Sequence, residues 1–179
     1  MTDNELIRLF LPIIQSNLLA EGYTDVVTKQ TNQPTAQGVN VAPTVYFYKT
    51  GDHRYGFLKR LDTWNAAEKK MYHEESQAYE TKFTVQALVR QYPTTPLGYT
   101  ASDLVNIVSA IMQSDATRAT LAASNVGVLR ITDISNPYFN DDHDQFEASP
   151  SFDFILTHRR ARITTDPVID SFTYNIQSV

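Results

Sequence analysis

Residues 79–91, YETKFTVQALVRQ, contain the pattern that decides the fold. Mostly apolar side chains occupy the odd positions from Tyr79 to Val89, and polar ones occupy the even positions from Glu80 to Gln86. This period of two is typical of a β-strand that buries one face and leaves the other in water. Because the stretch is about twice as long as an ordinary strand, it predicts a long strand in an antiparallel sheet.

The same alternation occurs twice near the C-terminus. Phe152, Phe154 and Leu156 form one apolar row, and residues 172–176 (FTYNI) form another. Between them, residues 164–167 (TTDP) have a composition typical of a turn. The two runs therefore predict a long β-hairpin.

The N-terminal segment has apolar residues at helical spacing from Leu6 to Leu18, preceded by capping side chains at residues 2–4. It predicts a helix that ends near Gly22. Pro12 lies inside this helix and removes one backbone hydrogen bond, so two shorter helices are the alternative. The run lacks a basic start and is interrupted by polar residues, which argues against a signal peptide.

Two further helices and three shorter strands are predicted around the long strand. Thr100 and Asp103 have the spacing of a capping box ahead of a helix that reaches Ile111. A short helix is predicted from Ser114 to Leu121, ended by residues 125–127 (NVG), where a left-handed backbone conformation costs little. The remaining strands are predicted at residues 24–28, 44–49 and 128–134.

The order helix, strands, helices, strands predicts an α+β fold, with an antiparallel β-sheet of long strands and helices packed on one face. A length of 179 residues suits a single domain over residues 1–179. Long loops are predicted at about residues 29–42, 51–76 and 135–149. The second is rich in charged and aromatic residues, and we expect it to pack on a neighbouring subunit.

Composition excludes several classes of protein. The chain contains no cysteine, which removes disulfides, thiolate metal sites and thiol nucleophiles. The sequence has neither a G-x-S-x-G nor an H-E-x-x-H motif, and His53 and His73 lie beside carboxylates without a nucleophile signature. The formal net charge of −5 argues against tight binding of phosphate backbones. We therefore expect no enzyme activity, no cofactor and, because no apolar run spans a bilayer, no membrane partner.

One acidic segment leaves a metal-dependent hydrolase open as an alternative. His143 is flanked by four carboxylates, and these groups together could ligate a divalent cation. No glycine lies in this segment, so it does not fit a calcium-binding EF-hand loop, and a solvated acidic loop is the simpler interpretation. The carboxylates are Asp141, Asp142, Asp144 and Glu147.

A group of arginines leaves a nucleic-acid-binding module open as a second alternative. Arg160 and Arg162 are expected to share one strand face with His158, while Arg159 points away. These arginines could bind phosphate, but no aromatic residues are interleaved with them. Ion pairing within the subunit or with a carboxylate of another subunit is the simpler interpretation.

The order of these segments along the chain resembles that of phage neck and tail terminator (gateway) proteins. The resemblance covers nearly the whole chain and rests on order and pattern, because these proteins carry no fixed catalytic motif. The segments that carry it are residues 5–8 (ELIR), 42–47 (APTVYF), 79–85 (YETKFTV), 100–111, 152–156 and 169–176.

The resemblance implies a structural virion protein that forms a homo-oligomeric ring in the phage neck, usually of six copies. Such a ring terminates the tail tube and joins it to the head connector, and genomic DNA passes through its channel without sequence-specific binding. The implied partners are connector or collar proteins, the tail tube and, in a contractile tail, the sheath. Assembly is expected in the host cytoplasm, and another connector or adaptor ring of the neck is the alternative.

In such a ring, the clustered carboxylates are expected to face the channel or a subunit boundary, and aromatic and arginine residues are expected at the subunit interface. The residues predicted for the channel or boundary are Asp141, Asp142, Asp144 and Glu147. The residues predicted for the interface are Trp64, Tyr72, Arg160 and Arg162.

Overall fold

In the computed structural model, three helices lie against a five-stranded sheet, which confirms the α+β fold class. The structure describes residues 1–30, 42–89, 98–140 and 146–167, and for residues 138–140, 146–148 and 167 it describes the backbone alone. The helices are α1 (Asp3–Ala20), α2 (Ala101–Gln113) and α3 (Asp115–Ala123). The strands are β1 (Val27–Gln30), β2 (Thr44–Asn65), β3 (Lys70–Leu88), β4 (Gly127–Ile131), β5 (Tyr138–Asn140), β6 (Phe146–Ala148) and β7 (Ser151–Pro167).

The strand order in the main sheet is β1-β2-β3-β7-β4, and β5 pairs with β6 in a separate two-stranded sheet. The β2, β3, β7 and β4 neighbours are antiparallel, as predicted, but β1 runs parallel to β2, so the sheet is mixed. Strand β3 is the long strand predicted from residues 79–91, and it begins earlier, at Lys70. It occupies the centre of the sheet and pairs along its length with both β2 and β7.

The core lies between the helices and one face of the sheet. Phe10 of α1 packs against an aromatic residue from each of three strands, with ring centroids 5.7 Å from Phe47, 5.1 Å from Phe83 and 5.2 Å from Phe154. The buried residues alternate with partly exposed ones along β3 and β7, as the period of two predicts. The helices therefore cover one face, and the opposite face of the sheet stays partly exposed.

Helix α1 continues through Pro12, so the alternative of two short helices is wrong. A capping box begins the helix: Glu5 N–H donates to Thr2 Oγ1, and Thr2 N–H donates to Glu5 Oε2 at 2.7 Å. Burial of the apolar row that includes Phe10 and Ile14 offsets the cost of the internal proline, which is about 3 kcal/mol.

The predicted signals at both ends of the second helical region are confirmed. Thr100 caps α2 through a reciprocal pair of bonds with Asp103. Ser114 then caps α3, and Asn125, just past its end, has a φ of 57°, in the left-handed region. These short-range features depend on neighbouring residues alone, which is why the sequence predicts them.

The loop predicted at residues 51–76 is wrong, because β2 continues past Gly51 to Asn65 and the chain returns as β3 from Lys70. Residues 51–65 are almost all exposed, so they lack the apolar alternation by which a strand is recognised in a sequence. The turn predicted at residues 164–167 is also wrong. These residues continue β7 and pair with Lys70 to His73 of β3.

Other predicted boundaries shift by a few residues. β1 begins at Val27 instead of residue 24, and β4 covers residues 127–131 instead of 128–134. Within the loop predicted at residues 135–149, the structure describes β5 and β6. Residues 141–145, most of the predicted loop at 29–42, and the run at 172–176 lie outside the described residues. None of the helices that the structure describes is long and apolar enough to cross a membrane.

Candidate assembly surface

Three strands extend well beyond the part of the sheet that the helices cover. β1 pairs with β2 only along Thr44–Phe47, and β4 pairs with β7 only over residues 154–157. Beyond these points β2, β3 and β7 continue together as far as the pairs Asn65 with Lys70 and Lys70 with Pro167. This three-stranded extension, residues 50–65, 70–81 and 157–167, is named the arm. At a rise of about 3.3 Å per residue it is roughly 40 Å long.

The arm exposes large apolar side chains. Phe57 is 100% exposed, Ile163 is 60% exposed, Leu61 is 49% exposed and Trp64 is 47% exposed. Leu61 and Ile163 share one face of the arm, and Trp64 lies on the other. Exposed large apolar side chains that lie together usually mark an interaction surface.

A bulge in β2 holds Phe57 in this exposed position. The register of β2 against β3 shifts between Tyr55 and Lys59, and Gly56 has a φ of 72°, which favours glycine. Gln77 of β3 supports the bulge by donating its side-chain N–H to the Gly56 carbonyl at 3.3 Å. Phe57 therefore projects from an ordered strand.

Side chains also order the tip of the arm. Asn65 Oδ1 accepts the backbone N–H groups of Ala67 at 3.1 Å and Glu68 at 3.3 Å, and Lys69 has a φ of 50°. Tyr72 donates its hydroxyl to Glu68 Oε2 at 2.6 Å. The turn that joins β2 to β3 is therefore fixed by local hydrogen bonds.

Charged side chains link the three strands of the arm on the face that continues from the core. The His73 ring lies between two carboxylates, with Nδ1 2.7 Å from Asp62 of β2 and Nε2 3.2 Å from Asp166 of β7. Nearer the base, the guanidinium carbons of Arg54 and Arg160 lie 5.6 and 4.9 Å from the centroid of the Tyr79 ring. These contacts hold the three strands as one unit although none of the described helices covers this part of the sheet.

A polar network joins the arm to the body. Asp52 accepts hydrogen bonds from Lys49 Nζ at 2.5 Å and from Thr81 Oγ1 at 2.7 Å. Asp3, at the start of α1, binds both Lys49, at 2.8 Å, and Arg160. The network thus connects α1 with β2, β3 and β7. We name it the arm-base network; its members are Asp3, Lys49, Asp52, Thr81, His158 and Arg160.

The charges of this network stabilise one another. Burial disfavours the charged form of Asp52, but hydrogen bonds from Lys49 and Thr81 outweigh this effect and hold the pKa of Asp52 below its ordinary value. Burial also opposes the charge of Lys49, and hydrogen bonds to Asp3 and Asp52 nevertheless raise the pKa of Lys49 above its ordinary value. Both groups are therefore ionised at neutral pH.

His158 completes the network in its neutral form. The side chain is 4% exposed, and this burial lowers the pKa of His158, which neighbouring positive charge, including that of Arg160, lowers further. Thr81 gives its single hydroxyl proton to Asp52, so its oxygen accepts the Nε2–H of His158 at 2.8 Å. His158 Nδ1 is then an acceptor, and it has no hydrogen-bond partner among the described residues.

The comparison with known families identifies the family of the chain. Residues 5–168, which include nearly all of α1 and the whole of the arm, match the family of the E217 gateway protein gp29. The chain belongs to this family. The gateway family is a family of phage neck proteins, so the chain is a structural component of the phage neck and virion, and the predicted relationship to phage neck and gateway proteins is confirmed. A search of curated proteins finds no match.

In this gateway-family protein, the residues predicted for the subunit interface lie on or at the base of the arm. Trp64 and Tyr72 lie near its tip, in the adjacent pairs Trp64 with Met71 and Thr63 with Tyr72. Arg162 is exposed on β7, where it pairs with Glu75 of β3. Arg160 belongs to the arm-base network. The structure therefore brings all four onto one extension, and their role at an interface stays a prediction.

The side chains of the residues predicted to face the channel are not among those that the structure describes. Asp141, Asp142 and Asp144, with His143, lie outside the described residues, and for Glu147 the structure describes only the backbone of β6. Across residues 1–30, 42–89, 98–137 and 149–166, no group of three or more histidine or acidic side chains is placed to hold a metal ion.

The sequence did not reveal the arm-base network. Asp52 falls in the loop predicted at residues 51–76, and Thr81 and His158 fall in predicted strands. One signal was available: His158 continues the apolar row of Phe154 and Leu156, which indicates a buried histidine that needs a polar partner. The identity of that partner depends on contacts between residues far apart in the chain.

Proposed function

We propose that this gateway-family protein forms a hexameric ring in the phage neck, which terminates the tail tube and joins it to the head connector while genomic DNA passes through the channel. The observation that carries the proposal is the arm. Among the described residues it is a three-stranded extension that, beyond its base, has two open edges and no covering layer, and it exposes Phe57, Leu61 and Ile163.

An arm of this kind needs a neighbour. A two- or three-stranded sheet is stable when one face is buried, and residues 52–64 of β2 have no buried side chain. Open strand edges also invite uncontrolled association unless another element covers them. Closed cyclic assembly meets both needs, because each subunit covers its neighbour and no copy is left over.

A ring of this kind stops tube growth by geometry. One face offers the docking surface of a tube subunit, and the opposite face offers none, so polymerisation ends there and the connector can bind. The net charge of −5 supports passage of DNA without tight binding, because an acidic protein repels the phosphate backbone. The nucleic-acid-binding alternative has less support, since Arg160 is held by Asp3.

The test is the solution mass of the purified protein by light scattering over a concentration series, with negative-stain images of the largest species. We expect closed rings with a central hole that admits duplex DNA, about 20 Å or more across. A monomer at every concentration, both alone and in the presence of purified tail tubes, would contradict the ring.

A neck adaptor that does not touch the tube is the competing candidate. The two functions differ in their response to tail tubes assembled without a terminator. A terminator caps the tube ends and prevents further addition of tube subunits, whereas an adaptor leaves tube growth unchanged. Tube length distributions measured by electron microscopy, with and without the protein, decide between them.

A further inference from the structure

We infer that the two open edges of the arm pair with each other between neighbouring copies, so that β7 of one subunit hydrogen-bonds in parallel to β2 of the next. The arms then form a continuous barrel around the channel. This inference rests on the proposed ring and specifies its subunit junction.

The backbone groups on the open edge of β7 belong to its odd-numbered residues. Ser151 exchanges two backbone hydrogen bonds with Ser135, at 2.8 and 2.9 Å, on the side of β7 away from β3. Asp153 faces the same side, because its carbonyl accepts the Thr132 N–H at 2.9 Å. Successive residues of a strand alternate between its two sides. The residues that direct their N–H and C=O groups to the open edge are therefore Ala161, Ile163 and Thr165.

The same alternation, followed through the strand pairs, shows which residues of β2 direct their backbone groups to its open edge. Asp153 pairs with Thr84 of β3 without exchanging hydrogen bonds, so Thr84 directs its backbone groups towards β2. The pairs of β2 with β3 continue through two register shifts. Beyond the second shift, the odd-numbered residues of β2, from Lys59 to Asn65, direct their backbone N–H and C=O groups towards β3. The residues that direct their backbone groups to the open edge of β2 are therefore Arg60, Asp62 and Trp64.

The two edges are compatible in direction. β2 and β7 are each antiparallel to β3, so they run parallel to each other. Rotation about a ring axis preserves this direction, and the junction between β7 and the next β2 is consequently parallel. In a parallel pair, each residue bonds to the two residues that flank its opposite number. Ile163 opposite Leu61 would thus bond to Arg60 and Asp62, which are two of the open-edge residues.

The side chains are compatible as well. Ile163 and Leu61 both pair with Glu74, so their side chains lie on the same face of the sheet, in one row across the arm. Both are about half exposed in the single subunit. A junction in this register places the two apolar side chains side by side, and their burial stabilises it.

A second copy of the chain is the partner of each open edge, because every subunit carries one open edge on β2 and one on β7. Head-to-tail pairing then leaves no edge open when the ring closes. With a strand spacing of about 4.8 Å and a tilt of about 40°, about eighteen strands from six copies give a backbone diameter of about 36 Å. Inward side chains reduce this to roughly 20–25 Å, which admits duplex DNA.

Disulfide cross-linking tests the junction, because the chain contains no cysteine of its own. Ile163→Cys is combined with Lys59→Cys, Leu61→Cys or Thr63→Cys, all exposed, to sample three registers on one face of the sheet. The control combines Leu61→Cys with Arg162→Cys, whose side chains lie on opposite faces. After oxidation, we expect one register to yield a ladder of covalent multimers up to the closed ring, at least fivefold above the control.

The outcomes separate the junction from the ring. Rings in negative stain with no register above the control overturn the strand pairing and leave the proposed ring intact. A monomer without a ladder overturns both. A ladder in which one register dominates supports the pairing and reports its shear. Unfolding curves of the reduced variants, expected to match wild type, verify that each arm is folded.

Discussion

Replacing Ala161 by proline removes one N–H group from the open edge of β7. This N–H faces away from β3, so no hydrogen bond among the described residues is lost, and proline is tolerated on edge strands in this orientation. At the proposed junction, the change removes one hydrogen bond and leaves the partner carbonyl unpaired, at a cost of about 1–2 kcal/mol. We therefore expect the monomer to fold and the ring to weaken.

The effect is amplified by ring closure. A ring of about six copies loses this binding free energy of about 1–2 kcal/mol at every junction. The ratio of rings to monomers depends on about the fifth power of the monomer concentration. The concentration at half assembly should therefore rise about tenfold to fiftyfold. Light scattering over a dilution series measures this midpoint. Ala161→Ser keeps the N–H on the same exposed position and is the matched control.

Two results would refute the reasoning behind this substitution. An unchanged midpoint for Ala161→Pro would mean that the open edge of β7 makes no backbone hydrogen bond in the assembly. A large drop in the unfolding free energy of the monomer would mean that the N–H of Ala161 is used within the subunit, contrary to the alternation derived from Ser151 and Asp153. Denaturant unfolding at a concentration below the assembly midpoint distinguishes the second case.

Three further predictions concern the arm and its base. Thr81→Val should lower the unfolding free energy by about 1–3 kcal/mol, because it leaves Nε2 of buried His158 unpaired. Adding His158→Phe should recover part of this loss. Denaturant unfolding of the wild type, the two single variants and the double variant measures the coupling. Stability should fall as the pH drops from 7 to 5. The pKa of His158 is lower in the folded chain than in the unfolded chain, where it is about 6.5, so the unfolded state takes up the proton first. Thermal unfolding in a pH series should show a smaller loss of stability for His158→Phe than for the wild type. Trp64→Ala and Tyr72→Ala should weaken ring formation, measured by light scattering, more than monomer folding, measured by denaturant unfolding. Equal loss of both properties would reject the interface assignment. The control is Leu19→Ala, at an exposed position of α1 away from the arm.

The sequence was sufficient for the parts of the fold that depend on local patterns and on a buried face. The row that includes Phe83 predicted the long strand, and the pairing of Thr100 with Asp103 predicted the start of α2. Both signals persist because one side of each element packs against the core. The same reasoning failed at residues 51–65. These residues form a strand with two exposed faces, and no alternation of apolar and polar side chains is then required within the single subunit.

The candidate site was less accessible than the fold. Its polar network joins Asp3 to Asp52, Thr81 and Arg160, which are separated by up to 157 residues along the chain. No local motif specifies such a set, since it exists only after α1 has packed on the sheet. Trp64 and Tyr72 were identified as interface candidates from residue type alone, and the structure adds that both lie near the tip of one extension.

The arm-base network relates the position of the arm to the proposed ring. A closed ring requires that every copy hold its arm at the same angle to the body, because an error at one junction accumulates around the ring. Asp3 fixes this angle by binding Lys49 of β2 and Arg160 of β7 at the point where the arm leaves the body. In the proposed ring, Arg160 would act through the direction of the arm, because its guanidinium group is occupied inside the subunit. Arg162, which is exposed further along β7, would be free to contact a neighbouring copy directly.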